Sequence, residues 1–195
     1  MVRKGWIAAA GAVLLLAAWC PAQQVPRKLP EFAVNMVNAK PVPVSQYKGK
    51  PLVMMFMLTT CPHCQHTVEM LSKMLPAYKP RGLNVLAAAI DDKPQGLIPG
   101  FLAAHHPAFP LGYVDAMAAL DIAGYSRERL PHVPLLLFID RQGTVGEQHE
   151  GADSDFFGDQ QEDKLKAAIE ALLTGGAKPV AKKAAKPVAK TVAKK

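Results

Sequence analysis

Two thiols enclose two residues at Cys61-Pro62-His63-Cys64. Sulfurs at this spacing can close a disulfide with each other, and the open pair can pass two electrons to another disulfide. The pair follows the apolar run Leu52 to Leu58, and a helical pattern follows it. A thiol at that junction sits at a helix N-terminus, where backbone N–H groups and the helix dipole favour a thiolate. Pro62 suits the first turn of such a helix. His63 stands between the sulfurs, where as a cation or hydrogen-bond donor it would stabilise a thiolate further. The chemistry expected is thiol–disulfide exchange.

Other uses of the pair fit less well. Half a zinc site would need a second ligand pair at suitable spacing, and His66, His105, His106 and His132 form no such motif. Attached haem would need a histidine directly after Cys64, where Gln65 stands. The methionines Met54, Met55, Met57, Met70 and Met74 fall at strand and helix spacing, which makes them core filler before a copper cluster. No metal and no cofactor is therefore assigned. The third cysteine, Cys20, lies near the N-terminus, which leaves one pair and no structural disulfide framework.

Strands and helices must place the pair. Glu31 to Val37 alternates as a strand, and Val42 to Val44 reads as its return across a turn at Asn38 to Lys40. Leu52 to Leu58 is a buried strand by its unbroken apolar character. Val68, Leu71, Met74 and Leu75 recur at helical spacing, with Pro76 and Pro80 as stops. Leu83 to Ile90 is a further strand, ending at Asp91-Asp92, and a helix is expected from Gln95 to His105. A short strand at Leu111 to Val114 and a short helix at Ala116 to Ile122 come next. Leu135 to Ile139 and Thr144 to His149 form a hairpin about Asp140-Arg141-Gln142-Gly143. Glu162 to Leu173 closes as a helix stopped by Gly175-Gly176. This order indicates an α/β fold with a central mixed sheet and an N-terminal β-hairpin.

The ends differ from the middle. Arg3-Lys4, an apolar run to Trp19 and a small residue at Ala22 make residues 1–22 a signal peptide, with lipidation at Cys20 or a retained anchor as alternatives. Each places the domain of residues 23–176 outside the cytoplasm, where disulfides persist. Residues 177–195 repeat Ala-Lys-Pro-Val-Ala-Lys and carry seven lysines and no acid. That tail is too poor in large apolar groups to build a core and is expected to be disordered. Setting aside the tail lysines with Arg3 and Lys4 leaves 14 basic against 16 acidic residues, so the net charge of +7 belongs to the ends. Anionic envelope surfaces are the nearer partners for such a tail in an exported protein, and nucleic acid is not expected.

With these motifs in order, residues 30–174 resemble the thioredoxin-like superfamily, and within it the exported TlpA/ResA-type thiol–disulfide oxidoreductases. Pro30-Glu31-Phe32 and the early hairpin resemble that group's N-terminal extension. Gly49-Lys50-Pro51 precedes the strand and the cysteines, and Val133-Pro134 resembles the family's cis-proline segment. The departures are specific. Thr60 replaces the usual Trp, Thr67 replaces a glutamate after the second cysteine, and Met55 replaces a buried aspartate. Loss of those acids argues against a standard reductase, whereas Pro62-His63 and Val133 resemble the exported oxidase DsbA.

The resemblance implies Cys61 as nucleophile and Cys64, one turn inward, as resolving thiol. Val133 and Pro134 would shape a groove for an extended substrate. It also implies protein thiol or disulfide substrates and a membrane redox partner that resets the pair. The direction favoured is disulfide donation or isomerisation, with a TlpA/ResA-type reductase as the alternative. A peroxidase of the peroxiredoxin type would need Pro and Thr or Ser where Met54 and Leu58 stand. A copper or zinc chaperone using both cysteines with His63 or His66 is the remaining alternative.

Overall fold

The computed structural model describes residues 25–127 and 131–175. The expected signal peptide and basic tail therefore lie outside the described residues. Among those described, no helix is long and apolar enough to cross a membrane.

The elements run β1 (Arg27–Lys28), β2 (Ala33–Met36), β3 (Ala39–Pro43), β4 (Leu52–Met57), α1 (Pro62–Tyr78), β5 (Asn84–Ala89) and α2 (Pro94–His105). They continue with β6 (Leu111–Tyr113), α3 (Ala116–Ala123), β7 (Leu135–Ile139), β8 (Thr144–His149), α4 (Ser154–Phe157) and α5 (Gln161–Thr174). The sheet order is β1-β8-β7-β4-β5-β6-β2-β3. β4 pairs parallel with β5 and antiparallel with β7, so the sheet is mixed as expected. The β2–β3 hairpin extends it beyond β6, while β1 caps the far edge on β8.

Every residue of β4 is buried, because helices cover both faces of the sheet. Val53, Met55 and Met57 face a core layer built with α1, α2 and α5. Leu52, Met54 and Phe56 face the other layer, which includes α3. This explains why β4 reads as a continuous apolar run rather than an alternating one. Met54, Met55 and Met57 are fully buried, each contributing roughly 1.5–3 kcal/mol by removal from water.

Two local details depart from expectation. Pro76 does not end α1, which runs on to Tyr78. The ring is exposed and lies in the last turn, where the disruption of one backbone bond is cheapest. α4 is a single turn between β8 and α5 that periodicity could not register. Asp153 caps it by accepting from the Phe156 amide.

The register converges on one end of the sheet. Met57 lies beside Ala89 at the ends of β4 and β5, and Phe56 lies beside Leu135 at the start of β7. Residues just after β4, just after β5 and just before β7 must therefore meet.

Candidate active site

Cys61 is the N-cap residue of α1 and Pro62 its first residue. Cys61 is partly exposed and Cys64 is fully buried in the core layer beneath it. Both are free thiols in this structure. Pro62 and His63 are exposed beside Cys61, so a partner reaching that sulfur meets both.

The Val133–Pro134 peptide is cis, and it sits where the register requires. The Cys61 Sγ–H donates to the Val133 carbonyl at 3.9 Å. The structure thus brings together all six residues that the sequence singled out: Cys61, Pro62, His63, Cys64, Val133 and Pro134. Behind the proline segment lies Gly151, whose N–H donates to the His132 carbonyl at 2.9 Å. A Cβ at Gly151 would stand 2.8 Å from the Val133 carbonyl carbon and 3.2 Å from the Pro134 nitrogen. The turn after β8 therefore buttresses the proline segment and tolerates no side chain facing it.

The two thiols live in different surroundings. Burial pushes the Cys64 thiol far above the ordinary thiol range. A hydrogen bond with the Leu58 backbone opposes that shift, while the Cys61 sulfur and the Asp91 carboxylate add to it. Burial thus favours the neutral thiol at Cys64, while Cys61 is partly exposed.

Three supporting groups were not apparent from the sequence. Asp91, just past β5, holds the loop ahead of the cysteines. It accepts the Thr59 N–H on both carboxylate oxygens, at 3.1 and 3.0 Å, and the Thr59 hydroxyl at 2.8 Å. Gln65 returns from α1 to donate to the Thr59 carbonyl at 2.9 Å. Thr67, at the position where an acid was missed, is buried; its hydroxyl donates to the His63 carbonyl and accepts from Gln161 of α5 at 2.9 Å. The signal available for Asp91 was its place at the end of a buried strand parallel to β4.

A cavity of about 460 Å³ lies at the opposite end of the sheet, lined by residues that include Tyr47, Lys48, Leu52 and Arg141. It is remote from both sulfurs. Cys61 instead lies at the surface, partly exposed beside exposed Pro62 and His63.

The family model described as the AhpC/TSA family matches residues 25–148. The chain belongs to the AhpC/TSA family. It is similar to the thiol-disulfide oxidoreductase ResA of Bacillus thuringiensis (strain Al Hakam), at 22% identity over 149 residues, covering 76% of this chain and 79% of the relative. ResA of Bacillus anthracis matches at 22% identity with the same coverage. The fold is that of a thioredoxin-family thiol:disulfide interchange protein from Chlorobium tepidum TLS, with a TM-score of 0.62, 19% identity, and 78% and 99% of the two chains covered. It is likewise that of a secreted Mycobacterium tuberculosis disulfide oxidoreductase homologous to E. coli DsbE, with a TM-score of 0.58, 19% identity, and 72% and 96% covered. This AhpC/TSA member is thus a thioredoxin-like thiol–disulfide oxidoreductase.

Proposed function

We propose that this oxidoreductase exchanges disulfides with protein substrates outside the cytoplasm, and that it works mainly as a disulfide donor or isomerase. One arrangement carries the proposal: Cys61 at the start of α1 against the Val133 carbonyl, with Cys64 buried behind it. Cys61 attacks or receives the substrate sulfur, forming a mixed disulfide. Cys64 then resolves that bond, or is released from its own disulfide in the reverse direction. An extended substrate segment pairs with the backbone at Val133 and lies over Pro134.

The direction rests on three side chains. Met55 and Thr67 stand where acids would assist reduction, and exposed His63 adjoins the nucleophile. A group that stabilises the Cys61 thiolate stabilises the reduced pair and makes its disulfide the stronger oxidant. Residues 1–22 direct export, residues 23–176 form the catalytic domain, and residues 177–195 hold it to anionic envelope surfaces. A membrane partner re-oxidises the pair.

The test is a comparison of two activities of purified residues 23–195. Oxidation of a reduced, unfolded ribonuclease should outpace reduction of insulin. Faster insulin reduction would reverse the direction and make the protein a reductase. Rapid peroxide consumption would replace thiol exchange with peroxidase chemistry.

A further inference from the structure

The end of the sheet farthest from Cys61 carries a cleft that the exchange chemistry does not use. Leu52 opens β4, Ile139 closes β7, and the two are paired in the sheet. From there β4 rises roughly 17 Å to Met57, before the loop that carries Cys61. The cavity of about 460 Å³ lies at this end, between the chain after β1, the helical turn Val44–Tyr47 and the β7–β8 turn. Its size falls within the range of about 300–1,000 Å³ that suits small-molecule ligands.

The lining has two parts. Val44, Leu52 and Ile139 are buried and make an apolar floor, with half-buried Leu29 and Tyr47 beside it. The rim is cationic, with Lys28, Lys48, Lys50 and Arg141 set against the acids Glu31 and Asp140. Both acids are already engaged. Glu31 pairs with Lys48 at 2.6 Å, and Asp140 Oδ1 accepts the amides of Gln142 at 2.9 Å and Thr144 at 2.8 Å. The other three cations reach only backbone carbonyls among the described residues. Lys28 donates to Gln142 at 2.9 Å, Lys50 to Gln46 at 3.4 Å and Arg141 to Leu173 at 3.3 Å. An ammonium has three N–H donors and a guanidinium five, so each keeps donors for an incoming anion. Cations without carboxylate partners above an apolar floor suit an amphiphilic anion.

The surroundings point to a bilayer as its source. Leu173, which accepts from Arg141, lies in the last turn of α5, so the described chain ends at Gly175 beside the cleft. Residues 177–195 continue from there with seven lysines and no acid. The Cys61 end has the opposite character. Asp92 after β5, and Asp159 and Asp163 about the start of α5, are exposed there. A negatively charged bilayer therefore attracts one end of the domain and repels the other.

We propose that the cleft binds the headgroup of an anionic phospholipid, so that the domain sits on the envelope membrane with Cys61 turned away from it. The phosphate lies among Lys28, Lys50 and Arg141, and the glycerol with the first acyl carbons lies on the apolar floor. This deepens the envelope attachment proposed above for the tail and rests on that reading. Attachment through the folded domain adds a fixed orientation, which a tail alone does not supply. Cys61 and the Val133–Pro134 segment then stay open to protein substrates.

The test uses the protein of residues 23–195, which contains every described element. Amide hydrogen exchange is followed alone, with phosphatidylcholine vesicles, and with vesicles that also hold phosphatidylglycerol. The mixed vesicles should protect residues 28–31, 44–50 and 139–143 while residues 61–66 keep their free rates, and phosphatidylcholine alone should protect neither. The triple variant Lys28→Gln, Lys50→Gln, Arg141→Gln, with its tail intact, should bind mixed vesicles on the order of 100-fold more weakly, at about fivefold per cation. Its Cys61 alkylation rate should match wild type, because none of the three residues touches the cysteines. Undiminished binding of that variant, without protection of the cleft in wild type, would leave attachment to the tail alone and overturn the site. Equal protection by inorganic phosphate without vesicles would assign the cleft to a free anion and overturn the lipid. If the variant does not fold, the wild-type pattern decides, since protection at residues 61–66 in place of the cleft refutes the orientation. Failure of the parent reading looks different: wild type would then bind mixed vesicles no better than phosphatidylcholine, and both attachments would fall.

Discussion

Gly151→Ala offers a sharp perturbation of the site, because it changes no charge and touches neither sulfur. The methyl group would stand 2.8 Å from the Val133 carbonyl carbon and closer still to its oxygen. Ordinary carbon contacts begin near about 3.5 Å, so the proline segment must retreat by on the order of 1 Å. That segment supplies the carbonyl to which Cys61 Sγ donates, and the backbone on which a substrate is proposed to pair. A misplacement of about 1 Å in a positioning group can cost about 100-fold in rate. Overpacking of this kind also costs about 1–3 kcal/mol of stability. The assay pairs kcat/KM for exchange with a protein substrate against urea unfolding. Cys61 alkylation by a small reagent serves as the internal control. A drop of roughly 10- to 100-fold in exchange is expected, while the small reagent still alkylates Cys61. Full exchange activity in a folded Gly151→Ala protein would refute the buttressing role of the β8–α4 turn.

Cys64→Ala should abolish turnover and accumulate a mixed disulfide at Cys61, seen by mass spectrometry without reductant; accumulation at no cysteine would contradict the division of roles. In the reduced protein the raised Cys64 titration makes the folded state hold a proton that the unfolded chain releases. Stability from this source is full below the unfolded thiol pKa of about 8.5 and falls as pH rises above it, by about 1.4 kcal/mol per unit. Unfolding curves of wild type and Cys64→Ala should therefore converge in alkaline solution, and parallel curves would refute the linkage. Thr67→Val strands the Gln161 amide in the core and should cost about 1–3 kcal/mol in urea unfolding, while exchange stays near wild type; unchanged stability would mean that the amide finds another partner. His63→Ala should make the pair less oxidising, and an unchanged redox equilibrium with glutathione would remove His63 from the tuning of Cys61.

What the sequence revealed of this fold follows from where its physics is local. β4 and β7 announce themselves as apolar runs because helices cover both faces of the sheet, and α1 and α5 show their buried stripes at helical spacing. The cysteines lie where a run changes period, and Val133-Pro134 was legible through its order relative to them. β1 has two residues and α4 one turn, too short for any periodicity. Pro76 reads as a stop, yet in an exposed last turn its cost is small enough for α1 to continue. Asp91 acts on Thr59 and Gln161 on Thr67, partners 32 and 94 residues away, and Gly151 acts on the distant Val133. Only the strand register brings them to the cysteines, so their roles are invisible until the sheet is assembled.

The most direct test of the account is the reduction potential of Cys61–Cys64, measured by equilibration with glutathione in a protein of residues 23–195. A single two-electron couple near the oxidising end, about −120 mV, is the predicted result. A couple near about −270 mV would make the protein a reductase and contradict the tuning assigned to His63 and the missing acids. The absence of any couple between Cys61 and Cys64 would contradict the exchange chemistry itself.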